Sequence, residues 1–161
     1  MHYVFLALLF ALLIGIVAGL RAMTPLAVLA WGALLGWLNL DGTWAAWIGS
    51  IIAVVILSIL AVGELITDQL PKTPSRKSTP QFATRLVIGG LAGAIIGTPF
   101  GHIYSAIGAG IIGAVLGTLG GYEARKRLVA ADGGHDLPIA LLEDAVAVLG
   151  GFVIVYAAGL V

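Results

Sequence analysis

Residues 86–122 read LVIGGLAGAIIGTPFGHIYSAIGAGIIGAVLGTLGGY, and none of them is Asp, Glu, Lys or Arg. The stretch is nearly twice the roughly 20 apolar residues that one transmembrane helix needs, and Thr98, Pro99 and Gly101 punctuate its middle. It therefore reads as two apolar spans, 86–99 and 102–122, folded into an antiparallel hairpin. Its glycines are in register. Gly89, Gly93, Gly97 and Gly101 step by four, and Gly113, Gly117 and Gly121 repeat the step on the second arm. Four-residue spacing stacks small residues on one helix face, so two backbones approach closely and gain dispersion contacts where lipid supplies no hydrophobic drive. The expectation is glycine-zipper packing carried by Gly89, Gly93, Gly97, Gly113, Gly117 and Gly121. Such a surface serves a partner within the chain or in another copy, which makes a homo-oligomer an expected state.

The rest of the chain is of the same kind. Of 161 residues, 60% are hydrophobic and 10% charged, against about a quarter charged in soluble domains, so there is too little polar surface to cover a water-soluble core. Further uncharged or nearly uncharged runs occupy 3–20, 22–40, 42–63 and 138–161. Together they predict one all-α, polytopic transmembrane bundle over residues 1–161 with six spans. The count falls to five if the second segment is re-entrant, because its strongly apolar part, 26–38, is short and follows Thr24-Pro25. Pro25, Pro80 and Pro138 each sit beside Thr24, Thr79 or Asp136, a pattern that predicts side-chain-capped helix starts with proline in the first turn.

In the six-span arrangement Arg21, the group Lys72, Arg76 and Lys77, and the group Arg125, Lys126 and Arg127 all fall on one side, which the positive-inside rule makes cytoplasmic. Trp31, Trp37, Trp44 and Trp47 gather near the other side as an aromatic belt. Eight basic residues balance eight acidic ones, so no basic excess attracts nucleic acid. Cysteine is absent and the three histidines are scattered, which removes disulfides, thiolate metal sites and cysteine nucleophiles. No Walker lysine loop or nucleophile elbow occurs, and the one Gly-x-Gly-x-x-Gly run, 108–113, lies inside an apolar span where its N–H groups cannot cradle phosphate, so no cofactor is expected and the sequence points away from a soluble-type enzyme.

Ionisable residues within membrane segments are functional candidates by default. Glu64 and Asp68 lie four apart on one helical face and need a cation or a proton, with Arg21, Arg76 and Arg85 as natural partners. Glu143 and Asp144 form a second acidic feature early in the last span. Adjacent helical positions diverge by about 100°, so these two are expected to face different partners. Arg21, Glu64, Asp68, Arg76, Arg85, Glu143 and Asp144 thus make a candidate site for an ion, a proton or a polar headgroup at the cytoplasmic mouth. The ordinary alternative is a set of ion pairs and snorkelling side chains that fix helix ends. Whether a metal binds the acidic residues stays open. Glu123 is placed to pair with Arg127 one turn on, and the basic run 125–127 suits an interfacial anchor on anionic lipid.

Four blocks carry a family resemblance: residues 19–26 (GLRAMTPL), 63–71 (GELITDQLP) with 74–76, 120–125 (GGYEAR) and 143–147 (EDAVA). They resemble a family of small, glycine-rich bacterial inner-membrane proteins grouped under a domain of unknown function. The resemblance runs over nearly the whole chain and implies a location in the bacterial cytoplasmic membrane. It departs at Gln69, where the family usually shows Lys, and it implies no activity or substrate. From the residues, the expected function is a small transporter or channel for an ion or small polar solute. A scaffold or lipid-binding protein without transport, and a lipid-modifying membrane enzyme, are the alternatives. Membrane lipids are expected partners in each case.

Overall fold

The apolar runs become six helices in a computed structural model that describes residues 2–67 and 79–161. In chain order they are α1 (His2–Leu20), α2 (Thr24–Leu34), α3 (Ile51–Thr67), α4 (Thr79–Gly97), α5 (Ile103–Ala131) and α6 (Asp136–Leu160). Among the described residues there is no strand, so the all-α expectation holds. The number of spans does not. Four helical stretches are long and apolar enough to cross a membrane: His2–Leu20, Pro80–Phe100, Ile103–Ala131 and Leu137–Leu160. The expected six spans, and the five-span variant, are corrected to four.

The overcount has a local cause. Gly36 takes a φ of +83°, a conformation open to glycine but costly for other residues, and the chain leaves the helix there. Residues 35–50 then run through turns and a short 3-10 helix, Ala46–Gly49. Of the second apolar run only the 11 residues of α2 remain helical, about 16 Å against the roughly 30 Å of a hydrocarbon core. The third run is shortened from its other end to the 17 residues of α3. Hydropathy measures how a segment partitions, and it does not see whether the helix is continuous.

Packing follows the glycines, though not as a self-contained hairpin. Gly89, Gly93 and Gly97 of α4 do face α5, where they meet Gly110, Ala106 and the His102 carbonyl in antiparallel order. Gly113 and Gly117 turn instead to α1, against the backbone of Leu12 and Ile16, while Gly15 of α1 meets Gly110. One helix, α5, is thus clamped between two partners. A Cβ on Gly15, Gly93, Gly110, Gly113 or Gly117 would overlap a neighbouring backbone atom first, so those contacts are backbone on backbone, while Gly89 and Gly97 also leave room for the Cβ atoms of Ala114 and Ala106. Gly121 is half-buried in a groove with Leu20, Arg125 and Glu143.

The paired helices α2 and α3 complete the bundle, with α2 also packed on α6. Ile14, Leu29, Ile48, Ile95 and Val155 are fully buried, and the core joins every helix to this centre. At the end where α4 finishes, Trp44 donates its indole N–H to Thr98 Oγ1 at 3.1 Å. Trp31 donates to Ser58 Oγ at 2.9 Å, and Trp37 meets Phe152 and Tyr156 edge-on.

Candidate functional site

The opposite end of the bundle is organised by a break between α1 and α2. Pro25 has no N–H to donate to the carbonyl four residues back and its ring would clash there, so the helix is prone to kink or break around residue 21. The chain accordingly leaves the helix over Arg21, Ala22 and Met23 and restarts at Thr24. The backbone N–H groups of Ala22 and Met23 then lack helical acceptors, and in an apolar bundle they need others. Glu64, from α3, supplies them. Its Oε2 accepts from Ala22 N at 2.8 Å and its Oε1 from Met23 N at 2.9 Å. A carboxylate there also suits the positive end of the α2 dipole. Thr24 is not the capping residue expected from the sequence. The N-cap position is Met23, with no side-chain cap, and the distant Glu64 takes over the task.

Arg21 lies inside this break and is 0% exposed. Its Nε donates to Asp144 Oδ1 at 2.6 Å, its Nη2 pairs with the same oxygen at 2.5 Å, and its Nη1 pairs with Glu143 Oε1 at 2.8 Å. Nη1 also donates to the Leu20 carbonyl at 3.1 Å. The expectation that Glu143 and Asp144 face different partners is therefore corrected. A 100° divergence between adjacent positions still leaves both carboxylates within reach of one guanidinium, whose planar fork presents donors in several directions. Arg125 stands 4.0 Å from Glu143, adding a weaker second cation.

Arg85, 2% exposed, serves the other side of the break. Its Nη1 donates to the Gly19 carbonyl at 2.8 Å, with the Ala18 carbonyl at 3.5 Å. These are the last carbonyls of α1, which lose their helical donors where the helix stops, and a cation complements the negative end of that dipole. Arg21 and Arg85 were expected to partner Glu64 and Asp68. The contacts described for them join Arg21 to α6 and Arg85 to α1. Asp68 and Arg76, also expected in the site, lie outside the described residues, as do Lys72 and Lys77.

Arg21, Glu64, Arg85, Glu143 and Asp144 thus stand at one end of the bundle, drawn from the α1–α2 break and from α3, α4 and α6. Arg125 was assigned to an interfacial anchor from the sequence. The signal placing it here was legible: it continues the four-residue step of Gly113, Gly117 and Gly121, the stripe that turns to α1. Thr118, fully buried on α5, was also missed, and its hydroxyl lies 3.5 Å from the Gly19 carbonyl. Among the described residues, no three of His, Asp and Glu are placed to hold a metal ion together.

The more exposed pair, Glu123 with Arg127 at 4.0 Å, is peripheral. Arg127→Gln is expected to shift the melting temperature in detergent by no more than about 4 °C, since such pairs contribute about 0–1 kcal/mol. A drop of 5 °C or more would give that pair a structural role it is not assigned here.

Four helices long and apolar enough to cross a membrane, with the end of the first tied to the last by the buried Arg21 ion pairs, define a multi-pass integral membrane protein. The chain belongs to the family described as a domain of unknown function (DUF4126), which it matches over residues 8–160. No curated protein and no solved structure matches the chain.

Proposed function

We propose that the protein is a small channel or transporter for an ion or a small polar solute, acting as a homo-oligomer in the bacterial cytoplasmic membrane. The observation that carries this reading is the interrupted helix α1–α2. A fully buried arginine, two carboxylates that clasp it and a third carboxylate on the freed N–H groups all converge on three residues of non-helical backbone. Ionisable groups and unwound backbone are costly at membrane depth, and they gather where substrates or coupling ions bind. In this reading Glu64 is the exchangeable group. Protonation, or a competing cation, releases its hold on Ala22 and Met23 and lets α2 and α3 move against the glycine-packed centre of α1, α4 and α5. The glycine faces then act as a glycine zipper that keeps the centre rigid. Arg21, Arg85 and the run 125–127 share one end of the bundle, which the positive-inside rule assigns to the cytoplasm.

One observation favours the scaffold alternative: Arg21, Arg85, Glu64, Glu143 and Asp144 all have protein partners, as a static set of helix clamps would. Flux separates the two. Proteoliposomes containing the wild type should conduct at least one of a panel of protons, monovalent and divalent ions, and Glu64→Gln should reduce that flux at least about tenfold. Helicity and elution in detergent should stay unchanged in the variant. Wild-type flux that persists undiminished in a folded Glu64→Gln protein would remove Glu64 from the path. The absence of wild-type flux across the panel would transfer the weight to the scaffold.

A further inference from the structure

The start of α2 stands one residue ahead of where its sequence would put it. A threonine followed by proline suits an N-cap with proline at the first helical position, since the residue before a proline favours the extended conformation that an N-cap residue takes. In the structure Thr24 is instead the first helical residue, and Met23 takes the cap position with helical dihedrals (φ −86°, ψ −17°) and no side-chain cap. The Thr24 hydroxyl is buried away from solvent, and its Oγ1 has no hydrogen-bond partner among the described residues. A threonine inside a helix usually donates back to the carbonyl four residues earlier, but that position is Leu20, in α1 on the far side of the break. Leaving a buried hydroxyl unpaired is unfavourable. The early start is held by Glu64, whose two carboxylate oxygens take the N–H groups of Ala22 and Met23 at 2.8 and 2.9 Å.

We infer that α2 has two alternative N-caps that exchange: Glu64 holds the helix start at Thr24 while its carboxylate is charged, and Thr24 becomes the N-cap when that charge is lost. In the second state Thr24 turns to the extended region, its Oγ1 accepts from the Ala27 N–H, and Pro25 becomes the first helical residue. The helix loses no hydrogen bond in the exchange, because the Ala27 N–H gives up the Met23 carbonyl, which it reaches at 3.2 Å, for the hydroxyl. Two hydrogen bonds to a charged acceptor outweigh one to a hydroxyl, so the observed arrangement is the one that an ionised Glu64 selects. The consequence falls on the break. Its non-helical stretch lengthens from 21–23 to 21–24, and the N–H groups of Ala22 and Met23 and the Met23 carbonyl are released at the charged end of the bundle. The inference deepens the reading of Glu64 as the exchangeable group and rests on it.

The test is amide hydrogen exchange, followed residue by residue by NMR of the detergent-solubilised protein, in the wild type, Glu64→Gln, Thr24→Val and the double variant. A glutamine offers one acceptor oxygen for two N–H groups and turns donors toward the other. In Glu64→Gln the Ala22 or the Met23 amide should therefore exchange at least about tenfold faster, while Ala27 keeps its wild-type protection. In the double variant Ala27 should exchange about fivefold faster or more, and the melting temperature should fall about 2–4 °C below that of Glu64→Gln, the loss of one N-cap. Thr24→Val alone removes only an unpaired hydroxyl and should leave the melting temperature unchanged or raised. Thr24→Ser keeps a capping hydroxyl, and combined with Glu64→Gln it should keep Ala27 protected. Unchanged exchange at both Ala22 and Met23 in Glu64→Gln would overturn the reading of Glu64 and this inference with it. Faster exchange there, with Ala27 losing protection in Glu64→Gln alone or keeping it in the double variant, would overturn the cap exchange and leave the reading of Glu64 standing, as would melting temperatures in which the two substitutions simply add. Were the double variant not to fold, Glu64→Gln with Thr24→Ser decides: Ala27 protected supports the exchange, and Ala27 unprotected or an unfolded protein overturns it.

Discussion

Arg21→Gln is expected to destabilise the protein by about 3–5 kcal/mol, the usual cost of removing one partner from a buried ion pair. The wild-type guanidinium answers two carboxylates at once, with contacts of 2.5, 2.6 and 2.8 Å. The glutamine amide has two N–H donors and no charge, so Glu143 and Asp144 would lose the cation they share. In addition the Leu20 carbonyl would lose its donor at the end of α1. For a chain of this length the melting temperature should fall by roughly 10 °C in detergent, with loss of the monodisperse species. Arg21→Lys should recover only part of this, because a point charge on a flexible stem does not reproduce the fork. The informative companion is the triple variant Arg21→Gln, Glu143→Gln, Asp144→Asn. Removing the charges together leaves no uncompensated ion, so the triple variant should melt above Arg21→Gln alone. A single Arg21→Gln protein as stable as wild type would mean that the three groups do not hold α1 to α6.

Gly113→Leu should have an effect of the same order for a different reason. A Cβ at residue 113 would overlap the Leu12 carbonyl oxygen and lie 2.9 Å from Ile16 N and 3.0 Å from Gly15 Cα. All three are backbone atoms of α1, so no rotamer change relieves the overlap and the two helices must separate. Overpacking in cores costs about 1–3 kcal/mol when side chains can adjust, and the backbone contact puts this site at or above the top of that range. The expected result is a melting temperature lower by roughly 10 °C and faster proteolysis at the ends of α1. Gly120→Leu is the matched control on the same helix, since a Cβ there would meet nothing within 4 Å. It should be neutral or slightly stabilising, as leucine is the better helix former. Equal behaviour of the two variants would show that α5 does not depend on close approach to α1.

Some of this architecture is legible in the chain because it follows from local chemistry. Residues 86–122 have no charge to keep them in water, so a membrane helix pair is the outcome that satisfies both side chains and backbone. The glycine spacing announces close packing, but a stripe of small residues does not name its partner. Gly113 and Gly117 could meet α4 or α1 equally well by spacing, and the tertiary arrangement gives them to α1. The number of spans was misjudged at residues 22–63 because hydropathy is a sum over a window. Gly36, at positive φ, and the turns of 35–50 break the helix without making the segment less apolar.

The charged residues divide in the same way. Burying a charge in this bundle requires a partner or an end of a helix, so Arg21, Glu64, Arg85, Glu143 and Asp144 stand out by composition alone. Which anion meets which cation is a long-range matter: Arg21 and Asp144 are 123 residues apart in sequence, and Ala22 and Glu64 are 42 apart. Pro25 could be read as a helix breaker, but not that α3 would deliver a carboxylate to the N–H groups it frees. By itself, then, the sequence determined the solvent, the helical class and the residues too costly to bury alone. The tertiary structure decided how many helices can span, which backbones touch and how the charges pair, because those depend on contacts between segments that no local spacing encodes.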